Sequence, residues 1–265
     1  MLDQLRAPLS VGIEITTNCN LHCLHCFSAQ SRAFDMTVED FYTILSLVRK
    51  MGVFSVSISG GEPLCHSDFA GMCTVLTESQ LFSVPNTNGC MIDAYADLIN
   101  ATFSSVHISI DGPEHLHDTI RGAKCFRMIL DNLNKIKLRK LMCITLTALN
   151  YAHLQEMVAI ALDKGFDGIC IFAFKPLGRG HLTKPLLALT QKELQDIAAV
   201  ISQLKKETDI RITYADPLTT TCYAGKRLLY VRADGSVTPC AYSDLIIGNI
   251  LTEISTLRNV SSRII

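Results

Sequence analysis

The sequence predicts an α/β fold on a parallel sheet, because apolar strand-like runs recur about every thirty residues and amphipathic helix-like segments fill the intervals. The runs are Val11–Thr16, Phe54–Ser59, Phe82–Thr87, Ser105–Ile110, Met142–Ala148 and Gly168–Phe174. The segments with a 3.6-residue period are Val38–Met51, Phe69–Gln80, Ala94–Ala101, Cys125–Leu138 and Leu154–Lys164. Strand–helix–strand alternation of this kind is joined by right-handed crossovers, which make successive strands parallel. Six such units fall two strands short of a closed eight-stranded ring. The expected architecture is therefore an open, partial (β/α)6 TIM-like barrel with its working residues at the strand C-termini.

Local signals support the elements in order. Thr37, with Asp40 three residues on, reads as the N-cap of the first helix, and Gly52 and Gly165 stand where helix C-caps are expected. After Phe174 the alternation stops. Lys175-Pro-Leu-Gly-Arg179-Gly180 is loop chemistry, and Thr190 opens a further amphipathic helix to about Lys206. Short β-like pieces follow at Ile210–Tyr214, Leu228–Arg232 and Ser236–Pro239, the last two joined by the hairpin turn Asp234-Gly235. The expected division is a barrel domain over 1–206 and a small C-terminal α+β module over 207–265.

Composition narrows the function classes. Of 265 residues 48% are hydrophobic and 18% charged, which suits a folded core and not a disordered chain. Twenty-four Lys and Arg against 25 Asp and Glu leave no basic excess for a phosphate backbone, so nucleic acid is not an expected partner. The N-terminus Met1-Leu-Asp-Gln-Leu-Arg6 has no signal-peptide apolar region, and no apolar run reaches about 18 residues. The expected location is the cytoplasm, without membrane attachment. An odd count of 11 cysteines fits a reducing compartment, where thiols serve as metal ligands or core fillers. Cys65, Cys73, Cys90, Cys125, Cys143 and Cys170 stand singly and read as small buried hydrophobes, Cys65 least securely because it follows a glycine-rich turn.

The chemistry concentrates at Cys19-Asn-Leu-His-Cys23-Leu-His-Cys26, a C-x3-C-x2-C triplet just after the first strand. A structural zinc site takes four protein ligands, whereas a [4Fe-4S] cube held by three cysteines keeps one iron free for an exchangeable ligand. Three further clusters end the next strands in turn: Gly60-Gly61-Glu62-Pro63, Asn86-Thr87-Asn88-Gly89 and Ser109-Ile110-Asp111-Gly112, followed by His117-Asp-Thr-Ile-Arg121-Gly122. Glycines admit close backbone approach to a ligand, Glu62 can accept a hydrogen bond from an ammonium, and arginine offers a bidentate fork to a carboxylate.

This ordered set resembles the radical S-adenosylmethionine (SAM) superfamily. The resemblance implies that Cys19, Cys23 and Cys26 hold a [4Fe-4S] cluster whose free iron chelates SAM. It implies that the Gly60–Pro63 turn binds the methionyl amino group and that Ser109 and Arg121 contact the ribose and carboxylate, with Asn88 and Asp111 in the same SAM-binding set. The implied chemistry is reductive cleavage of SAM to methionine and a 5′-deoxyadenosyl radical that abstracts a substrate hydrogen. The electron would come from a reductant such as flavodoxin or ferredoxin. Leu24 departs from the aromatic residue common between the last two cysteines, and His22 and His25 are expected to pack on the cluster or face solvent.

Cys222 and Cys240, in C-x12-G-x4-C with Gly235, resemble the opening of the SPASM and twitch modules, which bind auxiliary Fe-S clusters. No cysteine follows Cys240 before Ile265. A shortened module, a site completed by another ligand and a cluster-free remnant remain open, and the remnant is expected because two thiolates under-ligate a cube. Members with such tails mostly modify ribosomal peptides, so a peptide or protein substrate is the leading expectation. A dehydrogenase or decarboxylase of a small metabolite, such as an aminocyclitol or haem precursor, is the alternative. A non-catalytic Fe-S or zinc-binding protein is the alternative of another class. No leader-binding domain is expected before the first strand.

Overall fold

The computed structural model describes residues 7–28, 33–219 and 221–252. The first six strands are β1 (Ser10–Thr16), β2 (Ser55–Gly60), β3 (Phe82–Thr87), β4 (Ser105–Ser109), β5 (Arg139–Leu146) and β6 (Gly168–Ala173). Between them lie α1 (Val38–Lys50), α2 (Phe69–Ser79), α3 (Ile92–Thr102), α4 (Glu114–Arg121), α5 (Phe126–Asn132) and α6 (Leu154–Asp163). Then come α7 (Lys184–Leu187), α8 (Gln191–Glu207), β7 (Arg211–Ala215), β8 (Leu228–Val231), β9 (Ser236–Thr238) and β10 (Gly248–Asn249). They form one ten-stranded sheet in the order β10-β9-β8-β1-β2-β3-β4-β5-β6-β7. Every pair from β1 to β7 is parallel, and β8 is parallel to β1.

The boundary drawn near Lys206 falls in the last turn of α8, just before β7, and the sheet continues across it. β7 pairs with β6 as a seventh strand of the parallel series, while β8 leaves the far edge to join β1. The 228–238 hairpin forms as expected, with Arg232 N–H donating to Ser236 O at 2.8 Å. Gly12 shows why β8 fits there. A Cβ on Gly12 would stand 2.6 Å from the Tyr230 ring, whose hydroxyl meets the Ser59 hydroxyl at 2.9 Å.

Alternation along the strands separates two environments. Val11, Ile13 and Ile15, Val56 and Ile58, Val106 and Ile108, and Met142, Ile144 and Leu146 are all buried with Phe41, Ile44, Met72 and Ile129 of the helices in one core. Each such side chain stabilises the fold by about 1.5–3 kcal/mol. The intervening positions are Glu14 and Thr16, Ser57 and Ser59, His107 and Ser109, Cys143 and Thr145, and Cys170. Together they give the opposite face a polar lining, as in the contact of His107 Nδ1 with Asn86 Oδ1 at 3.0 Å.

Some boundaries differ from the periodicity. The helix expected over Cys125–Leu138 ends at Asn132, a 3-10 turn occupies Leu133–Lys135, and β5 begins at Arg139 instead of Met142. The earlier return to strand follows Lys140 N–H donating to Asp167 Oδ2 at 2.8 Å, which pins the strand start to the β6 side. Thr37 caps α1 as expected, accepting Asp40 N–H at 3.0 Å, and Thr190 with Glu193 forms a full capping box on α8. Among the described residues, no helix is long and apolar enough to cross a membrane.

Candidate active site at the strand C-termini

The cysteine loop leaves the C-terminal end of β1 and is built against the neighbouring strand ends. The Gly60-Gly61 pair serves that approach. A Cβ on Gly60 would lie 2.2 Å from Thr16 O and one on Gly61 2.3 Å from Asn18 O, while Gly61 N–H and Glu62 N–H donate to those two carbonyls at 2.8 Å each. The glycines thus make room for the backbone leading into Cys19, not only for a ligand. Pro63 starts the 3-10 turn that follows.

Glu62 is 1% exposed, and its carboxylate is largely spent on the protein. It accepts the Thr87 hydroxyl at 2.7 Å, Asn88 N–H at 2.6 Å and Leu64 N–H at 3.3 Å. Three of roughly four acceptor positions are therefore taken. Burial pushes this carboxyl up to about 7 against the pull of those donors. Asn88, fixed by Glu62, reaches back to the cysteine loop through Nδ2, which donates to Asn20 Oδ1 at 2.8 Å.

Asp111 organises the opposite side. Its side chain is fully buried, and Oδ2 lies 2.8 Å from His25 Nε2 and 2.6 Å from Arg121 Nε. Oδ1 accepts Thr145 N–H at 2.8 Å. Burial alone would raise this carboxyl, but the Arg121 and His25 charges hold it well below its ordinary value. Arg121 Nη1 also points to Cys23 Sγ at 3.9 Å. His25, expected on the cluster or in solvent, is thus an anchor of the triplet to Asp111. Ser109 sits at the end of β4, in register with Cys143 on β5.

A third support comes from the loop after β6. Arg179 Nη1 donates to Cys23 O at 3.0 Å, Thr183 Oγ1 to Leu24 O at 2.7 Å, and Gly180 N–H to Cys26 O at 3.2 Å. Gly178 has φ +53°, and a Cβ there would lie 2.5 Å from Phe27 O. The loop reads in sequence as plain connection, and it is the clamp on the triplet. We predict that Gly178→Ala, strained in both backbone and contact, lowers iron retention after anaerobic gel filtration while secondary structure by circular dichroism is kept; unchanged iron content would refute the clamp.

Between the cysteine loop and the hairpin lies a cavity of about 230 Å³, lined by Phe27, Ser28, Gly178, Tyr230, Arg232 and Tyr242 among others. Glu14 faces it, 2% exposed, accepting the Ser28 hydroxyl and Ala233 N–H at 3.2 Å each. Burial raises its carboxyl.

The sequence model of the Radical SAM superfamily matches residues 13–163, more than half of the chain. The chain belongs to the radical SAM superfamily. Sporulation killing factor maturation protein SkfB of Bacillus subtilis (strain 168) is 27% identical over 261 residues, covering 93% of this radical SAM chain and 63% of SkfB. AdoMet-dependent heme synthase of Methanosarcina barkeri (strain Fusaro / DSM 804) is 25% identical over 284 residues, covering 94% of this chain and 81% of the synthase. The crystal structure of Streptococcus suis SuiB bound to precursor peptide SuiA superposes with TM-score 0.81 at 17% identity, over 97% of this chain and 65% of SuiB. That likeness is one of fold. This radical SAM chain therefore spans about two thirds of the length of SkfB and of SuiB.

Membership makes a [4Fe-4S] cluster and SAM the cofactors of the chain. The donor set, three thiols on one loop, suits a cube with one iron left open. Among the described residues, the trio of His, Cys or carboxylate ligand atoms mutually within 4.8 Å is His117, Asp118 and Cys125, so the three triplet sulfurs are not all that close to one another. Cys23 is buried and that burial raises its thiol, which disfavours a thiolate there unless a cationic cluster compensates it, whereas Cys19 is exposed and Cys26 half-buried.

Of the remaining cysteines, Cys73 and Cys125 are buried as expected, whereas Cys65, Cys90, Cys143 and Cys170 are half-buried. Cys65 and Cys90 follow the ends of β2 and β3, where Cys65 Sγ meets Met91 Sδ at 3.6 Å and Cys90 packs against the core, and Cys143 and Cys170 stand on the polar face of the sheet. The Cys143 and Cys170 positions are register partners on β5 and β6.

Proposed function

We propose that this chain is a radical SAM enzyme that abstracts a hydrogen atom from a peptide or protein substrate. Cys19, Cys23 and Cys26 hold the cluster, and SAM lies over the strand ends against the Gly60–Pro63 turn, Asn88, Ser109 and Arg121. When bound, the cluster supplies the electron that splits SAM to methionine and a 5′-deoxyadenosyl radical. The residues of the chain do the rest. Glu62 holds the Thr87–Asn88 turn in shape, and Asp111 orients the Arg121 guanidinium toward the triplet and the SAM carboxylate. The three-sided support of the cysteine loop keeps this geometry fixed and excludes water.

The observation that carries the reading is the convergence of the triplet, Asn88 and the Asp111–Arg121 pair on one rim of a parallel barrel. Support for a peptide substrate comes from the similarity to SkfB, named as a maturation protein, and from the fold shared with SuiB, solved with its precursor peptide. The cavity beside the triplet adds a chemical reason. Phe27, Tyr230 and Tyr242 give it apolar walls and Glu14 and Arg232 polar ones, a lining suited to a side chain presented on an extended backbone. A small-metabolite substrate is the second reading, favoured by the similarity to the heme synthase. The deciding experiment is anaerobic incubation of reconstituted protein with SAM and a flavodoxin or ferredoxin reductant, alone, with candidate precursor peptides, or with porphyrin and aminocyclitol metabolites. Peptide-stimulated 5′-deoxyadenosine with a modified peptide supports the proposal; stimulation by metabolites alone transfers it to the second reading.

We propose further that Cys222 and Cys240 are a remnant without an auxiliary cluster. Cys222 is exposed and Cys240 half-buried, and Gly225 N–H donating to Pro239 O at 3.0 Å brings their segments side by side. Among the described residues neither joins a ligand trio. Cys222→Ser with Cys240→Ser is predicted to leave iron at about four per chain, one cube's worth; a count near eight in the unaltered chain that halves in the variant would establish an auxiliary cluster.

A further inference from the structure

Two thiols with no part in the site above touch each other directly behind it. Cys90 follows the Asn88-Gly89 turn at the end of β3 and Cys125 immediately precedes α5, and their thiols are hydrogen-bonded to one another. Behind Cys125 stands His117, fully buried, with Nε2 3.4 Å from Cys125 Sγ. The His117 tautomer is set by its other nitrogen, because Nδ1 accepts Asp111 N–H at 3.2 Å. The ring proton is therefore on Nε2 and points at the sulfur. Cys125 Sγ thus receives two donors, the Cys90 thiol first and His117 second, and their pull lowers its pKa while Cys90 is raised.

The same contacts argue against a metal. His117, Asp118 and Cys125 bring ligand atoms within 4.8 Å of one another. Yet His117 presents a proton there, and Asp118 Oδ1 accepts the N–H groups of Cys125 and Phe126, both at 3.0 Å. Access is one-sided. Cys90 lines a cleft of about 490 Å³ together with Met91 and Ala94 of the α3 region and Met128 and Asn132 of α5, whereas Cys125 is 3% exposed.

We propose that Cys90 and Cys125 form a thiol-modification site that exchanges with a low-molecular-weight disulfide entering this cleft and closes to an intramolecular disulfide. Cys90 passes its proton to the Cys125 sulfur and attacks one sulfur of the incoming disulfide. That S–S bond breaks, and one small thiolate leaves with the proton from Cys125. The Cys125 thiolate then attacks Cys90 Sγ and expels the second small thiolate, which takes a proton from water. Overall the pair, which starts with one proton on Cys90 and Cys125 as thiolate, gives up two electrons and that proton; the small disulfide gains the two electrons, and the second proton of the two small thiols comes from water.

The test is anaerobic equilibration of the cluster-reconstituted chain in buffers of graded reduced-to-oxidised glutathione, followed by alkylation and peptide mass mapping. The expected result is a crosslinked Cys90–Cys125 peptide that accumulates before Cys65, Cys73, Cys143 or Cys170 react. Cys125→Ser is expected to stop the exchange after its first step, leaving glutathione on Cys90, while Cys90→Ser leaves the sheltered Cys125 unmodified. Equal alkylation of both thiols at every ratio in the unaltered chain would overturn the proposal, as would glutathione retained on Cys90 when Cys125 is present. The map of the unaltered chain decides the matter even where a variant fails to fold.

Discussion

Replacing Cys19, Cys23 and Cys26 together by Ala is expected to give a folded chain that holds no iron or sulfide and forms no 5′-deoxyadenosine above background from SAM and dithionite. The fold survives because the loop is held by contacts that avoid the sulfurs. Arg179 bonds Cys23 O, Thr183 bonds Leu24 O, Gly180 N–H bonds Cys26 O, and Leu24 N–H donates to Ile120 O at 2.8 Å. Chemistry is lost because SAM cleavage needs the cluster electron, and these are the three thiols grouped on the rim with Asn88 and Arg121. The loss is total and not graded, since a cube stripped of its three thiolates has no protein ligand left. Iron and sulfide analysis beside chromatography of the nucleoside reads it. Deoxyadenosine produced by the triple variant would remove the cluster assignment.

The barrel was legible because its helix-facing aliphatics alternate strictly, as Val11, Ile13 and Ile15 do, and that alternation is a local property of sequence. α4 was not, because it is short and polar on average: it buries His117 and Arg121 beside Ile120, and the apolar pair Leu116 and Ile120 spans a single turn, too little for the periodicity to mark a helix. The joining of β8 to β1 and of β7 to β6 was hidden for another reason. Strand pairing is non-local, and the notch that Gly12 leaves for Tyr230 is recognisable only when both residues are in place. The site divides in the same way. The cysteine spacing and the strand-end clusters are contiguous signals and were read directly. His25 meeting Asp111 across 86 residues, and Arg179 meeting Cys23 across 156, are products of the fold. Even Glu62, found by its motif, has a use the motif does not state, since its carboxylate is spent mainly on Thr87, Asn88 and Leu64.

Asp111→Asn is expected to cost about 3–5 kcal/mol of stability at neutral pH, the usual penalty for breaking a buried ion pair from one side. The introduced amide could still accept Thr145 N–H through its oxygen, but its nitrogen would then face Arg121 and His25, donor against donor. The Arg121 charge would be left in a pocket where its side chain is only 10% exposed. The pH dependence fixes the sign. Arg121 and His25 hold the Asp111 carboxyl below its ordinary 3.8 in the folded chain, against burial, so its contribution is complete above 3.8 and is lost as pH falls through the lower folded value. The part of the gap that comes from the Asp111 carboxylate should therefore persist down to about 3.8 and be lost only in stronger acid. Urea unfolding of the cluster-free proteins across that range measures it. A double-mutant cycle separates the pair from simple packing. Asp111→Asn combined with Arg121→Gln leaves no unpaired buried charge, so the double variant should be more stable than the sum of the two single losses by roughly 0.5–3 kcal/mol. Strict additivity would show that the two side chains are neighbours without being partners, and would remove the charge argument for how Arg121 is aimed at the triplet.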